Sequence, residues 1–84
     1  MPDACATPPF LLYVRDGCHL CDQFLLELGL DFPALRASVE TVDVDADPAL
    51  ATAYGLRVPV LAGAGGVLCE GRYDRAEVAA ALGL

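Results

Sequence analysis

The sequence predicts an α/β fold with the element order β-α-β-α-β-β-α. Short apolar runs alternate with amphipathic or capped segments along the chain. Helix starts are marked by Asp47-Pro48 and by Asp74, with Glu77 three residues further on. A glycine-rich run at 63–66 separates the last two apolar segments, as the turn of a hairpin would. We therefore expect the first two strands to be parallel through a right-handed crossover and the last two to be antiparallel.

Local signals place each element. The run at 10–14 is apolar without alternation, which predicts a buried strand. The segment after it repeats apolar residues at helical spacing, and Gly29 and Pro33 are expected to end that helix. Gly55 is expected to close the second helix. The expected elements are strands at 10–14, 38–44, 57–62 and 67–70, and helices at 19–28, at 48–54 and after Asp74.

Length and charge limit the classes of function. The 84 residues predict one domain, with a flexible tail at 1–9. The formal net charge is −7 and all five cations are arginines, which disfavours nucleic acid and anionic membranes as partners. No apolar run reaches the roughly 18 residues of a membrane span. The tail has no basic start and no long apolar stretch, so a secretory signal is not predicted and a cytoplasmic location is expected.

The main chemical feature is the segment Cys18-His19-Leu20-Cys21 at the start of the first predicted helix. Side chains at this spacing share a helix face with Cβ atoms roughly 5–6 Å apart, which a small adjustment brings within reach of a disulfide. The partial positive charge of the helix N-terminus and nearby Arg15 are both expected to favour a thiolate at Cys18. Asp16 and Asp22 oppose this effect, and we expect the helix end to dominate. The pattern predicts a nucleophilic Cys18 and a resolving Cys21.

Other uses of the cysteines are less favoured. A structural zinc site would need a second pair of ligands, whereas Cys5 and Cys69 are isolated and His19 is the only histidine. No metal site is therefore predicted. An incidental pair of core cysteines is disfavoured because both lie at a helix start. Cys69 is expected to be buried in its apolar strand, and Cys5 to be a thiol of the tail.

Several further residues could contact a substrate or adjust the disulfide. Pro59 is expected to follow a cis peptide bond, which would expose backbone groups of Val58 to an extended substrate; the alternative is an edge-strand proline. His19 could tune the disulfide potential or could be an exposed residue of the first helical turn. A cationic rim that grips carboxylates, or alternatively solvated surface charge, is predicted for Arg15, Arg57 and Arg72.

These motifs together resemble the glutaredoxins, and more closely the small bacterial glutaredoxin-like proteins that have Cys-His-Leu-Cys and Arg-Val-Pro-Val. The resemblance rests on Arg15-x-x-Cys18-x-x-Cys21, Val58-Pro59 and the turn at 71–74, and it covers nearly the whole chain. It implies the thioredoxin fold, a four-stranded mixed sheet flanked by three helices. It also implies that Cys18 attacks disulfides beside a cis Pro59. By the same resemblance, Arg15 and Asp74 match glutathione-binding positions, although Arg72 replaces a glycine of that turn.

The function expected from the sequence is thiol–disulfide exchange that cycles through an intramolecular Cys18–Cys21 disulfide. The expected partners are a disulfide-containing protein or a glutathione mixed disulfide. Glutathione as co-substrate, or a reductase, would supply electrons to a monomeric protein with no tightly bound cofactor. Two alternatives stay open. One is a glutathione-dependent iron–sulfur cluster bound through Cys18, and the other is an interaction module that keeps the thioredoxin fold without turnover.

Overall fold

The computed structural model describes residues 10–63 and 65–83 of the chain. The predicted tail at 1–9 lies outside these residues. The described elements, in chain order, are β1 (Phe10–Val14), α1 (His19–Asp31), α2 (Pro33–Ala37), β2 (Val39–Asp43), a 3-10 turn (Val44–Ala46), α3 (Pro48–Tyr54), β3 (Val60–Gly63), β4 (Gly66–Glu70) and α4 (Arg75–Ala81).

The four strands form one mixed sheet in the spatial order β2-β1-β3-β4. β1 is parallel to β2 and antiparallel to β3, whereas β3 and β4 are antiparallel. Gly63 lies opposite Gly66 at the hairpin between β3 and β4. The predicted parallel crossover and hairpin are therefore confirmed. The protein has a thioredoxin-like α/β fold, with α2 as a short helix that the sequence did not predict.

The main core lies on the face of the sheet that packs against α1 and α4. Leu12 and Leu61 from the sheet, Phe24 and Leu28 from α1, and Val78 from α4 are all fully buried. Phe24 and Leu28 are four residues apart and therefore lie on the same helix face. Full burial of a side chain of this size contributes about 1.5–3 kcal/mol to folding. This packing fixes the direction of α1, whose first turn carries the cysteine pair.

The opposite face of the sheet packs against α3. Successive strand residues point to opposite faces, so Tyr13 turns away from the side that Leu12 occupies. The Tyr13 ring stacks on Tyr54 of α3 with centroids 4.3 Å apart and planes 15° apart. Val60 of β3 is fully buried on this side. α3 is thereby held close to the ends of the central strands.

The end of α1 differs from the prediction. The helix continues through Gly29 to Asp31, and the Phe32 N–H donates to the Leu28 carbonyl at 2.8 Å. Gly29 is not among the glycines with positive φ, so it does not form the left-handed cap expected of it. Buried Leu28 and partly buried Phe32 anchor the chain on either side and offset the cost of a helical glycine. Pro33 then begins α2 as its first residue.

The third strand begins later than predicted. The N–H groups of Arg57 and Val58 both donate to the Tyr54 carbonyl, at 2.8 and 3.1 Å. Pro59 has no N–H to donate. Because the N–H groups of Arg57 and Val58 bond to α3 and Pro59 has none, the strand ladder starts only at Val60.

Both predicted helix caps form. Asp47 Oδ1 accepts from the Ala49 N–H at 2.9 Å, and Asp74 Oδ1 accepts from the Glu77 N–H at 3.1 Å. Such a cap contributes about 1 kcal/mol relative to alanine. The caps fix where α3 and α4 start, immediately beside the loops that carry the candidate site.

Substitution Gly29→Ala tests the revised end of α1. We expect the free energy of unfolding to rise by about 0.5–1 kcal/mol, because glycine loses more backbone freedom than alanine in a helix interior. A Cβ at this position would meet only Arg36 Cγ, at 3.7 Å, which is ordinary contact. Urea unfolding measures the change.

Gly71→Ala is the matched control, because Gly71 has a φ of +79° and open space around its Cα. We expect this change to lower the free energy of unfolding by about 1–2 kcal/mol, since alanine is strained in that conformation. A loss of stability in Gly29→Ala would contradict a helix that runs through Gly29.

Candidate redox site

Four loop segments meet at one edge of the sheet. Val14 lies opposite Asp43 in the pairing register, Tyr13 lies opposite Val60, and Val60 lies opposite Glu70. The segments that follow β1, β2 and β4 therefore share an edge with the segment that precedes β3. The candidate residues that this register brings to the edge are Arg15, Cys18, His19, Cys21, Arg57, Val58, Pro59, Arg72 and Asp74.

Cys18 and Cys21 form a disulfide at the first turn of α1, with Cα atoms 5.2 Å apart. Cys18 is the N-cap residue, and its Sγ accepts a hydrogen bond from the Cys21 N–H at 3.0 Å. The two cysteines differ in exposure: Cys18 is half-buried, whereas Cys21 is 2% exposed. A reagent from solvent therefore reaches the Cys18 side of the disulfide first.

The Arg15 side chain makes an ion pair within the protein. Its Nε and Nη2 donate to the two carboxylate oxygens of Asp45, each at 3.0 Å. Its Nη1 donates to the Gly55 carbonyl at 3.1 Å. The hydrogen bond to Asp45 raises the pKa of Arg15 further above its ordinary value. Arg15 thus ties the loop before Cys18 to the 3-10 turn and to the end of α3.

Arg57 is held in the same way. Its Nε and Nη2 donate to the two carboxylate oxygens of Glu70, at 3.0 and 2.7 Å, and its Nη1 donates to the Ala53 carbonyl at 3.3 Å. The guanidinium also lies 5.2 Å from the centroid of the Tyr54 ring. The hydrogen bond from Arg57 lowers the pKa of Glu70. The sequence did not indicate Asp45 and Glu70 as partners, because each lies far along the chain from its arginine.

The Val58-Pro59 peptide bond is cis, and Pro59 is fully buried. The Pro59 carbonyl accepts from the Gly71 N–H at 2.8 Å, which links this loop to the turn after β4. The Val58 N–H donates to the Tyr54 carbonyl. The Val58 carbonyl has no backbone partner within the described ranges, so it is the group of Val58 that an extended substrate could use.

The remaining candidates occupy three different settings. Asp74 caps α4, as described above, with one carboxylate oxygen. Arg72 is exposed and lines a shallow cleft of about 270 Å³ with Leu20 and Glu27. His19 is the first residue of α1 and is exposed.

Cys69 is a buried free thiol in β4 and is 3% exposed. Its Sγ donates to the Arg72 carbonyl at 3.2 Å. Burial raises the pKa of this thiol to about 11. The sequence prediction that Cys69 is buried is therefore confirmed, whereas Cys5 lies outside the described residues.

A groove that the sequence did not predict lies beside the disulfide. It encloses about 460 Å³ between the loop after β1, the first turns of α1 and the end of β2, and Cys21 is part of its lining. Half-buried Val14 and Leu25 supply apolar surface, and exposed Asp16 and Asp22 supply carboxylates. The sequence signal that could have indicated this groove is the pair of acidic residues on either side of the cysteines, Asp16 and Asp22.

Neither a metal-binding cluster nor a membrane-crossing helix is found among the described residues. Within residues 10–63 and 65–83, no group of three or more histidine, cysteine or acidic residues is arranged to hold a metal ion. In the same ranges no helix is both long enough and apolar enough to cross a bilayer.

A disulfide at the first turn of a helix, in a thioredoxin-like fold, supports a redox-type thiol function. Residues 10–83 match the family described as Glutaredoxin-like domain (DUF836). The chain therefore belongs to this glutaredoxin-like family, as its motifs predicted.

Solved structures agree with this assignment. Target protein XcR50 from X. campestris is 39% identical, with a TM-score of 0.72 over 88% of this chain and 95% of that one. Protein Ne2328 from Nitrosomonas europaea is 26% identical, with a TM-score of 0.71 over 98% of both chains. Among curated proteins, none matches this sequence.

The pKa of Cys69 predicts a slow reaction with alkylating agents. A rise from 9.0 to about 11 lowers the thiolate fraction near neutral pH about 100-fold. The folded protein should therefore show a Cys69 alkylation midpoint near pH 11. The contribution of the neutral buried thiol to stability is fully present below about pH 9 and is lost as pH rises through about 11.

A variant with serine at Cys5, Cys18 and Cys21 leaves Cys69 as the only thiol for this measurement. Iodoacetamide labelling is followed by mass spectrometry across pH, with the urea-unfolded variant as the control. Unfolding should accelerate labelling at neutral pH by about 100-fold or more. Equal rates in folded and unfolded protein would show that Cys69 is not protected.

Proposed function

We propose that this protein is a thiol–disulfide oxidoreductase in which Cys18 is the nucleophile and Cys21 the resolving thiol. The observation that carries the proposal is the unequal exposure of the two cysteines in one disulfide. Cys18 is open enough to contact a substrate, whereas Cys21 is buried and is bonded to Cys18.

The position of Cys18 supports its role as nucleophile. Its Sγ lies at the N-terminus of a helix of 13 residues and accepts a backbone N–H. Hydrogen bonds and a helix N-terminus stabilise a thiolate more than a neutral thiol, and the thiolate is the reactive species. In the proposed reduced state, the same Cys21 N–H would stabilise the Cys18 anion.

The proposed reaction has two exchange steps. The Cys18 thiolate attacks a substrate disulfide, forms a mixed disulfide and expels one substrate thiolate, which takes a proton. Cys21 then loses its proton and attacks Cys18 Sγ, which forms the Cys18–Cys21 disulfide and releases the second substrate thiol. Two electrons pass from the dithiol to the substrate. Two thiols of glutathione, or one dithiol reductase, return the electrons and restore the dithiol.

The surrounding contacts support a fixed docking edge for the substrate. The Arg15–Asp45 and Arg57–Glu70 pairs tie the loops beside the disulfide to elements distant in sequence. The Val58 carbonyl is available to accept a hydrogen bond from an extended substrate chain. In this proposal the two arginines position the loops, and the backbone of Val58 contacts the substrate.

Replacement of single cysteines tests the proposed roles. The reduced protein, in a Cys5→Ser background, is mixed with hydroxyethyl disulfide. The reaction is quenched with acid, and the mass of the protein is measured by mass spectrometry. The parent should release two thiols per protein and return to the internal disulfide. Cys21→Ser should release one thiol and retain one adduct, because the resolving thiol is absent. Cys18→Ser should lose at least about 100-fold in rate, since buried Cys21 is shielded from attack.

Cys69→Ala in the same background is the matched control, and its rate should equal that of the parent. An adduct on Cys18→Ser that forms at the parental rate would overturn the assignment of the nucleophile. Failure of the reduced parent to react with the disulfide at all would overturn the proposed activity.

A further inference from the structure

Carboxylates carry the unpaired charge on the groove side of the disulfide. The sequence left a cationic rim or solvated surface charge open for three arginines. Arg15 and Arg57 are each paired with a bidentate carboxylate, whereas Arg72 is exposed and forms no ion pair in the described ranges. Asp16 and Asp22 flank the cysteine pair, are exposed, and form no ion pair with any cation in the described ranges. In the groove beside Cys21 the unpaired charge is therefore negative, whereas the exposed Arg72 lines the other cleft, with Leu20 and Glu27.

The groove beside Cys21 concentrates this negative charge. Its lining includes Asp16 from the loop after β1, Asp22 from α1 and Asp43 from the end of β2. The only cation in the lining is Arg15, which is bound to Asp45. The groove lining thus carries three carboxylates and no unpaired positive charge.

The apolar part of the lining indicates what kind of group fits. Val14 and Leu25 are half-buried in the same groove, and its volume of about 460 Å³ exceeds that of one long side chain. Lysine and arginine place an aliphatic stem on apolar surface while the charged end stays near water or a carboxylate. A basic side chain close to a substrate cysteine matches both parts of the groove.

We propose that this site prefers disulfides flanked by positive charge, in particular polypeptide cysteines with a neighbouring lysine or arginine. Anionic disulfides, including oxidised glutathione, are disfavoured by the same carboxylates. The inference rests on the proposed disulfide exchange and specifies its class of substrate. Because the carboxylates are exposed, the preference depends on ionic strength and weakens once the screening length falls below the charge separation.

Three symmetrical peptide disulfides test this preference. They differ only in the residues on both sides of the cysteine, which are lysine, glutamine or glutamate. The rate constant for reduction by the fully reduced protein is divided by that for 2-mercaptoethanol, which removes differences in intrinsic reactivity. At an ionic strength of about 10 mM, the lysine peptide should react at least about fivefold faster than the glutamate peptide. The ratio should approach one at about 0.5 M salt.

Charge-neutralising variants locate the source of the preference. Asp16→Asn and Asp22→Asn should each lower the lysine-to-glutamate ratio about twofold, because each removes one carboxylate from the groove. Glu40→Gln is the matched control. It removes the same charge from an exposed position paired with Leu11, at the other end of β1, and should leave the ratio unchanged.

The outcomes separate the two proposals. A normalised ratio near one at low salt, with all three peptides reduced, would overturn the charge preference and leave the exchange activity standing. If Glu40→Gln lowers the lysine-to-glutamate ratio as much as Asp22→Asn does, the preference comes from net charge and not from the groove. That result would also overturn the inference. No reduction of any peptide would overturn the exchange activity and the preference together.

Discussion

The position of β1 in the centre of the sheet is the constraint on which the site depends. β1 pairs with β2 on one side and with β3 on the other, so its end is fixed by two ladders of hydrogen bonds. The chain leaves β1 at Val14 and enters α1 at His19, with only four residues between them. Burial of Phe24 and Leu28 then fixes the helix axis. The Cys18–Cys21 pair therefore has little freedom to move relative to the sheet.

Arg15 and Arg57 are ion-pair partners of carboxylates within the protein and do not form a free cationic rim. Both Arg15 and Arg57 donate to two oxygens of one carboxylate and also to a backbone carbonyl. The planar guanidinium suits this combination because it presents its donors in a fixed geometry. The cations are used to join loops at the redox edge. The charge of each of these two arginines is thereby balanced by a carboxylate at the protein surface.

Most of the predicted elements depended on signals within a few residues of one another. The cap at Asp47 and the uninterrupted apolar run of β1 act locally, so the sequence predicted both correctly. Gly29 was wrongly placed because the same residue type can end a helix or be tolerated inside it. The packing of Leu28 and Phe32 against the core decides between these outcomes. That packing involves distant residues, which no local pattern contains.

By itself, the sequence determined the order of the strands and main helices, the start of each main helix, and the placement of two cysteines at a helix N-terminus, but not the short helix α2. These features follow from backbone geometry and side-chain spacing over one or two turns. Only the tertiary structure decided the partners of the charged groups. Arg15 and Asp45 are 30 positions apart, and the sheet register brings together the loops that carry them. Which charges near the disulfide are balanced by a partner is therefore a property of the fold.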